Sequence, residues 1–222
     1  MTRRRTRHAG PGPDDPLALL TPTARRLVSA ARRLLAREGF EALTVEAVAA
    51  EAGVYRDAVR YYFGSKAAFV ATVVDSLAHD QSLEGALRTR DLPAGPERVR
   101  ALMDADRRLA EDRGSFRDFF TILPHALRDD DLRGRVARLY DWYRALYVGA
   151  LDGEDEARRA TLDAHAHLMV AMTDGLALQK LLDPERVDLE ALYELWTEML
   201  ERVLTGLAEG RAGAPSERSD PD

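Results

Sequence analysis

The chain contains no cysteine among its 222 residues, which excludes disulfide bridges, zinc–thiolate sites and thiol nucleophiles and points to a reducing cytoplasm. It has only two lysines, Lys66 and Lys180; a GC-rich coding bias accounts for the arginine excess, which therefore carries no functional weight. No stretch approaches the roughly 18 consecutive apolar residues of a membrane span. The basic start (Arg3, Arg4, Arg5, Arg7) runs into Gly, Pro and Asp instead of an apolar segment, so neither secretion nor insertion is expected. No period-two alternation marks a strand. Ser/His/Asp arrangements, Gly-rich phosphate loops and paired-carboxylate signatures are also missing. His165 and His167 are two residues apart and point to different faces of a helix, so they do not form the i, i+4 pair of a helical metal site. No catalytic residue, metal or cofactor is expected.

What is present is an asymmetry of charge. Residues 1–66 hold twelve Arg and Lys against seven Asp and Glu, net +5, and the rest hold twenty against thirty-one, net −11, giving the overall −6. One end can approach phosphate and the other avoids it. A chain of this length accommodates one large domain or two small ones, at roughly 100–200 residues per domain.

Residues 1 to about 20 combine four arginines with Gly10, Pro11, Gly12, Pro13 and Pro16 and read as a flexible basic arm, either reaching DNA or serving as a solubility tail. Residues 210–222 read as a disordered tail. Between them the periodicity is helical: Leu27, Ala31, Leu34 and Leu35 share one face, as do Val45, Val48, Ala49 and Ala52. Helix starts at Thr44, Ser65, Pro96 and Asp188, with stops at Gly39, Gly53 and Gly64, predict about nine helices: 22–38, 45–52, 56–62, 66–87, 96–112, 115–127, 130–151, 155–182 and 188–208. The fold class is all-α, with a DNA-binding domain over 21–66 and a larger bundle over 67–209.

Residues 44–66 carry the chemistry. Two short helices joined across Glu51-Ala52-Gly53-Val54 have helix-turn-helix proportions, with Gly53 free to take the positive φ of the turn. In such a motif the second helix enters the major groove. Val59 and Phe63 face the small core with Val54, leaving Tyr55, Arg56, Asp57, Arg60, Tyr61 and Tyr62 to project or flank. Arginine bonds guanine, aspartate accepts from cytosine, and tyrosine reaches phosphates or thymine methyls. Lys66, at the next helix start, makes a phosphate clamp with the free N–H groups there, and Thr44 serves from the other side.

The run Glu38-Gly39-Phe40, Leu43-Thr44-Val45, Val48-Ala49, Ala52-Gly53-Val54 and Tyr61-Tyr62-Phe63-Gly64-Ser65-Lys66, without a gap over residues 25–70, resembles the TetR family of transcriptional regulators. The resemblance implies base contacts by Arg56, Asp57, Arg60 and Tyr61 and phosphate contacts by Thr44, Tyr55, Tyr62 and Lys66. Three positions depart from the pattern. Tyr55 stands where a Ser/Thr cap is usual, at a cost of about 1 kcal/mol in local helix stability; Asp57 replaces a small residue and Arg60 an aromatic. Asp57 either reads a base or pairs with Arg56 or Arg60. The operator cannot be copied from a relative.

In the bundle, Asp174-Gly175-Leu176-Ala177-Leu178-Gln179 looks like the family's penultimate helix, which pairs with the last across a dimer axis. Leu168, Met172, Leu176 and Gln179 on one helix, with Leu192, Trp196, Met199 and Val203 on the next, form two stripes, read as a homodimer interface or as internal packing. The family's ligand cavity lies within the bundle; Met103, Phe116, Phe119, Phe120, His125, Tyr140, Tyr143 and Tyr147 are candidate lining residues, or ordinary core. Pro124 marks a candidate kink.

The expected function is thus a dimeric, cytoplasmic, non-enzymatic repressor that binds a roughly palindromic stretch of double-stranded DNA, has no membrane partner, and is released by an unidentified small-molecule effector. Activation instead of repression, a protein-interaction bundle with a vestigial reader, and a helical enzyme around Tyr140, His125 or His165 are the alternatives.

Overall fold

Local chemistry punctuates the first helices. In the computed structural model, which describes residues 17–89, 91–151 and 156–208, α1 (Pro22–Glu38) starts where the Thr21 side chain accepts the Ala24 N–H at 3.3 Å and Pro22 fills a position needing no donor. A 3₁₀ turn (Phe40–Ala42) leads to α2 (Val45–Ala52), capped by Thr44, which accepts from Ala47 N–H at 3.1 Å. Gly53 ends α2 at φ 65°, where a side chain would cost roughly 1–2 kcal/mol. Then come α3 (Asp57–Phe63) and α4 (Lys66–Thr89), the latter capped by Ser65.

These four helices bury Leu27, Leu34, Val48, Val59 and Phe69 against one another. Truncating such a leucine to alanine costs about 2–5 kcal/mol. Three arginines of α1 tie α2 down: Arg26 donates to the Ala52 carbonyl at 2.8 Å, and Arg33 and Arg37 reach Glu51 at 2.9 and 3.2 Å.

The remaining helices are α5 (Pro96–Glu111), α6 (Arg113–Ala126), α7 (Asp130–Ala150), α8 (Glu156–Leu182) and α9 (Leu189–Ala208). α5 packs against α4, α8 and α9, and α7 lies against α4 and α8. Lys180 closes the α8–α9 turn by donating to the Pro184 and Val187 carbonyls at 2.9 and 2.7 Å. α4 and α6 connect the bundle to the N-terminal helices. On α6, His125 stacks on Phe40 with ring centroids 3.9 Å apart. Pro124 sits within α6, which continues only to Ala126.

Among the described residues there is no strand, and no helix is long and apolar enough to cross a membrane. At the end of the expected arm, residues 17–20 form a turn that Arg25 holds through the Leu17 and Ala18 carbonyls, both at 3.0 Å. Residues 1–16 and the expected tail over 210–222 lie outside the described residues.

Candidate functional site

The two short helices place their polar residues on one face. Tyr55, Arg56, Asp57, Arg60 and Tyr61 are all exposed, with Tyr55 at 93 % and Tyr61 at 82 %. Exposed aromatics of that size, next to a buried Val59, need a partner to justify them. Tyr62 is half-buried and meets Tyr61 edge-on at 4.9 Å, while Phe63 packs on Phe69 of α4 and anchors the helix from behind. Thr44 and Lys66 are exposed at the N-termini of α2 and α4, where unpaired N–H groups favour an anion. The Thr44 oxygen already accepts as a cap, but its hydroxyl proton remains able to donate.

Arg56 pairs with Glu46 of α2 at 3.0 Å, and among the described residues Asp57 and Arg60 make no ion pair. The expected alternative of a link between Asp57 and Arg56 or Arg60 is therefore replaced by a bond between helices. Both partners are largely exposed, so the pair is worth little and leaves Arg56 free to move. Asp57 opens α3, where its charge faces the helix's own N–H groups, and no side chain caps that start. Thr23 and Arg26 of α1 border an open groove with Tyr55, Asp57 and Tyr61. Sequence reasoning missed these two; their place on the polar side of α1 was the available signal. Beneath, Arg33 and then Arg37 hold the Glu51 carboxyl below the usual carboxylate range.

A second site lies inside the bundle. Phe116 and Phe119 of α6, Leu139, Tyr140, Tyr143 and Tyr147 of α7, Leu109 of α5, and Val170, Thr173 and Asp174 of α8 surround a cavity of about 20 Å³, room for about one water. A larger guest requires these rings to part. Tyr140 donates to Asp174 at 2.5 Å. Burial pushes the Asp174 carboxyl up against the pull of that bond, and burial followed by the nearby carboxylate raises Tyr140.

Five of the eight expected lining residues thus come together, and three do not. Met103 is enclosed in the core elsewhere on α5. Phe120 packs behind Phe116 and Phe119, with ring centroids 5.4 and 5.8 Å away. His125 lies six residues past Phe119, about 9 Å along the helix, at the Phe40 contact. Thr173 and Asp174, the polar lining, were not assigned to it from sequence.

On the far side, α8 and α9 expose apolar side chains that nothing among the described residues covers: Leu168 at 64 %, Leu182 at 77 %, Leu195 at 56 % and Met199 at 53 %, with Met172, Leu178 and Leu192 beside them. Gln179 is exposed in the same stripe. Leu176 and Trp196, expected there, are buried inside the chain, and Val203 packs against its core. His165 and His167 each bond a carbonyl one turn back, at 2.7 and 2.9 Å, and no group of potential metal ligands exists among the described residues.

Comparison with known proteins agrees with this architecture. A family of bacterial regulatory proteins, the tetR family, matches residues 27–73, and the C-terminal domain of BetI-type transcriptional repressors matches residues 95–205, half of the chain. The chain is 24 % identical to the HTH-type transcriptional regulator BetI of Vibrio vulnificus over 193 residues, covering 83 % of this chain and 94 % of that one. It is 29 % identical to the regulator TtgR of Pseudomonas putida over 192 residues, covering 79 % and 88 %. Its fold matches that of a transcriptional regulator from Saccharomonospora viridis in complex with choline, with a TM-score of 0.64, 18 % identity, and coverage of 80 % of this chain and 95 % of that one. With the reader motif and the C-terminal bundle both matched in order, the chain belongs to the TetR family of DNA-binding transcriptional regulators.

Proposed function

We propose that the protein is a homodimeric cytoplasmic repressor that leaves a roughly palindromic operator when an organic cation enters its bundle. One observation carries the DNA reading: Tyr55, Arg56, Asp57, Arg60 and Tyr61 stand exposed between two helix N-termini, at Thr44 and Lys66. Arg56, Asp57, Arg60 and Tyr61 read bases, while Thr44, Tyr55, Tyr62 and Lys66 hold phosphates. The exposed face of α8 and α9, around Leu168, Leu195 and Met199, meets its copy across a two-fold axis, which requires a two-fold operator.

The cavity supports the ligand class. Its walls are aromatic rings and its polar group is the Asp174 carboxyl, a combination that attracts a positive charge through the ring faces and neutralises it at one end. A relative in fold binds choline, which supports the same class here. The protein acts on the ligand only by binding it.

The test is binding to DNA from the protein's own upstream region across a salt series. Arg60→Ala should cost about 1–3 kcal/mol and relax sequence preference, whereas Lys66→Ala should weaken all sequences alike and lower the salt slope by about one. Absence of selective binding, both there and in a random-site library, would sink the reading.

A further inference from the structure

Behind the cavity wall lies a carboxyl group that neither DNA binding nor core packing requires. Asp106 of α5 is 2 % exposed and accepts a hydrogen bond from the Tyr147 hydroxyl. That hydroxyl lies 3.4 Å from Thr173 Oγ1, and both Tyr147 and Thr173 line the cavity. On α7, Tyr143 is raised by burial and then by the nearby Asp106 carboxyl; its hydroxyl is buried without a hydrogen-bond partner among the described residues. From α8 the nearby acid is Asp174, occupied by Tyr140, and from α9 the facing group is Tyr193. Among the described residues, no charge on α4 or α6 bears on it. Its neighbour on α5, Arg107, instead pairs with Asp104 and Glu111 at 3.1 and 2.6 Å.

Every described group that bears on Asp106 is therefore neutral or acidic, and its described hydrogen bond comes from a tyrosine. An ionised carboxylate there finds no cation among the described residues to answer it, so the empty protein keeps its proton. Burial pushes Asp106 up to about 7, with the Tyr147 hydrogen bond pulling the other way. A positive charge seated against Tyr147 and Thr173 supplies what is missing.

We propose that Asp106 is the charge-selecting group of the cavity: it is a neutral acid when the cavity is empty and a carboxylate when a cation occupies it, so that binding releases one proton to solvent. The O–H bond of the acid breaks, the proton passes to buffer, and the Tyr147 hydroxyl goes on donating to the carboxylate. A neutral guest leaves the proton in place. The proposal rests on the cation reading above and adds a coupling that this reading alone does not require.

Two permanently charged probes, choline and benzyltrimethylammonium, and the carbon isostere of choline, in which tert-butyl replaces trimethylammonium, are titrated calorimetrically into the full-length protein. Titrations run from about pH 5.5 to about pH 8, in buffers of different ionisation enthalpy. Affinity for a cation should rise about 30-fold across that range, with about half a proton released per site near neutrality, and the isostere should show neither effect. Asp106→Asn should bind the cation with one pH-independent affinity, below the wild type's throughout the range. Cation binding that is flat with pH and releases no proton overturns this proposal and leaves the cation reading standing. Failure of both cations to bind better than the isostere overturns both. If Asp106→Asn does not fold, Asp174→Asn decides in its place: proton release that persists in it comes from Asp106 and upholds the proposal, and release lost with Asp174 overturns it.

Discussion

Asp106→Asn in the ligand-free protein keeps the side-chain shape and an acceptor for the Tyr147 hydroxyl, so its effect on stability isolates one proton. In the folded chain Asp106 titrates at about 7, against 3.8 for an ordinary aspartate. Below about pH 4 both folded and unfolded chains carry the proton and pH has no effect through this group. Between about pH 4 and about pH 7 the unfolded chain has lost it and the folded chain has not, so wild-type stability falls by about 1.4 kcal/mol per pH unit. Above about pH 7 both are ionised and the loss is complete, at about 4 kcal/mol. From about pH 5 to about pH 8 the share is about 3 kcal/mol, or roughly 6–12 °C in Tm for a chain of this size. Thermal unfolding followed by circular dichroism, for wild type and variant at both pH values, reads the difference, because other titrating groups shift both proteins equally. Parallel shifts in the two proteins would mean that native Asp106 is already ionised, and the account of an unanswered buried carboxyl would fail.

Three further outcomes follow from the same structure. Glu46→Gln removes the partner of Arg56 and a negative charge from the reading face, so DNA affinity measured by fluorescence anisotropy should rise about 2- to 5-fold at low salt, with the gain shrinking as salt is added. Met199→Glu places a charge in the exposed face of α8 and α9, and sedimentation should show a shift to monomer with loss of operator binding but an unchanged helical spectrum. Gly53→Ala has room for its methyl group, with Arg26 Nη2 3.9 Å away, but is held at φ 65°, so urea unfolding should show a loss of about 1–2 kcal/mol from backbone strain alone.

Most of the fold was legible because local chemistry sets it. The spans expected at 22–38 and 45–52 are those of α1 and α2, since Thr21, Thr44, Gly39 and Gly53 start and stop them without help from distant residues. Where the cap is weak or unread the edges move. α3 starts at Asp57, one residue late, because Arg56 offers no side-chain cap, and α6 starts at Arg113, ahead of the expected 115, because the Asp112 side chain accepts from Gly114 and Ser115. The exposed face of α3 was legible for the same reason: seven residues of helix leave few choices of face once Val59 is buried. The cavity was less so. Asp106 stands in the sequence as one acidic residue in the run Asp104-Ala105-Asp106-Arg107-Arg108, and only the packing of α7, α8 and α9 around α5 separates it from the half-buried Asp104 beside it. Trp196 turned inward for a similar reason, its ring packing on Tyr193 at 5.3 Å, a choice of side that helical periodicity alone leaves open.

The two attachments of the N-terminal helices, through α4 and α6, set how they can move. A body joined at one strut can swivel in any direction; joined at two, it retains chiefly a rocking motion about the line between them. α6 carries Phe116 and Phe119 into the cavity and Thr121 and His125 against Gly39 and Phe40, so a guest that parts the rings at one end tilts the strut at the other. In the proposed two-fold pair the rocking of each N-terminal unit would be mirrored by its copy, and the separation of the two α3 helices would be the single coordinate through which cavity occupancy reaches DNA.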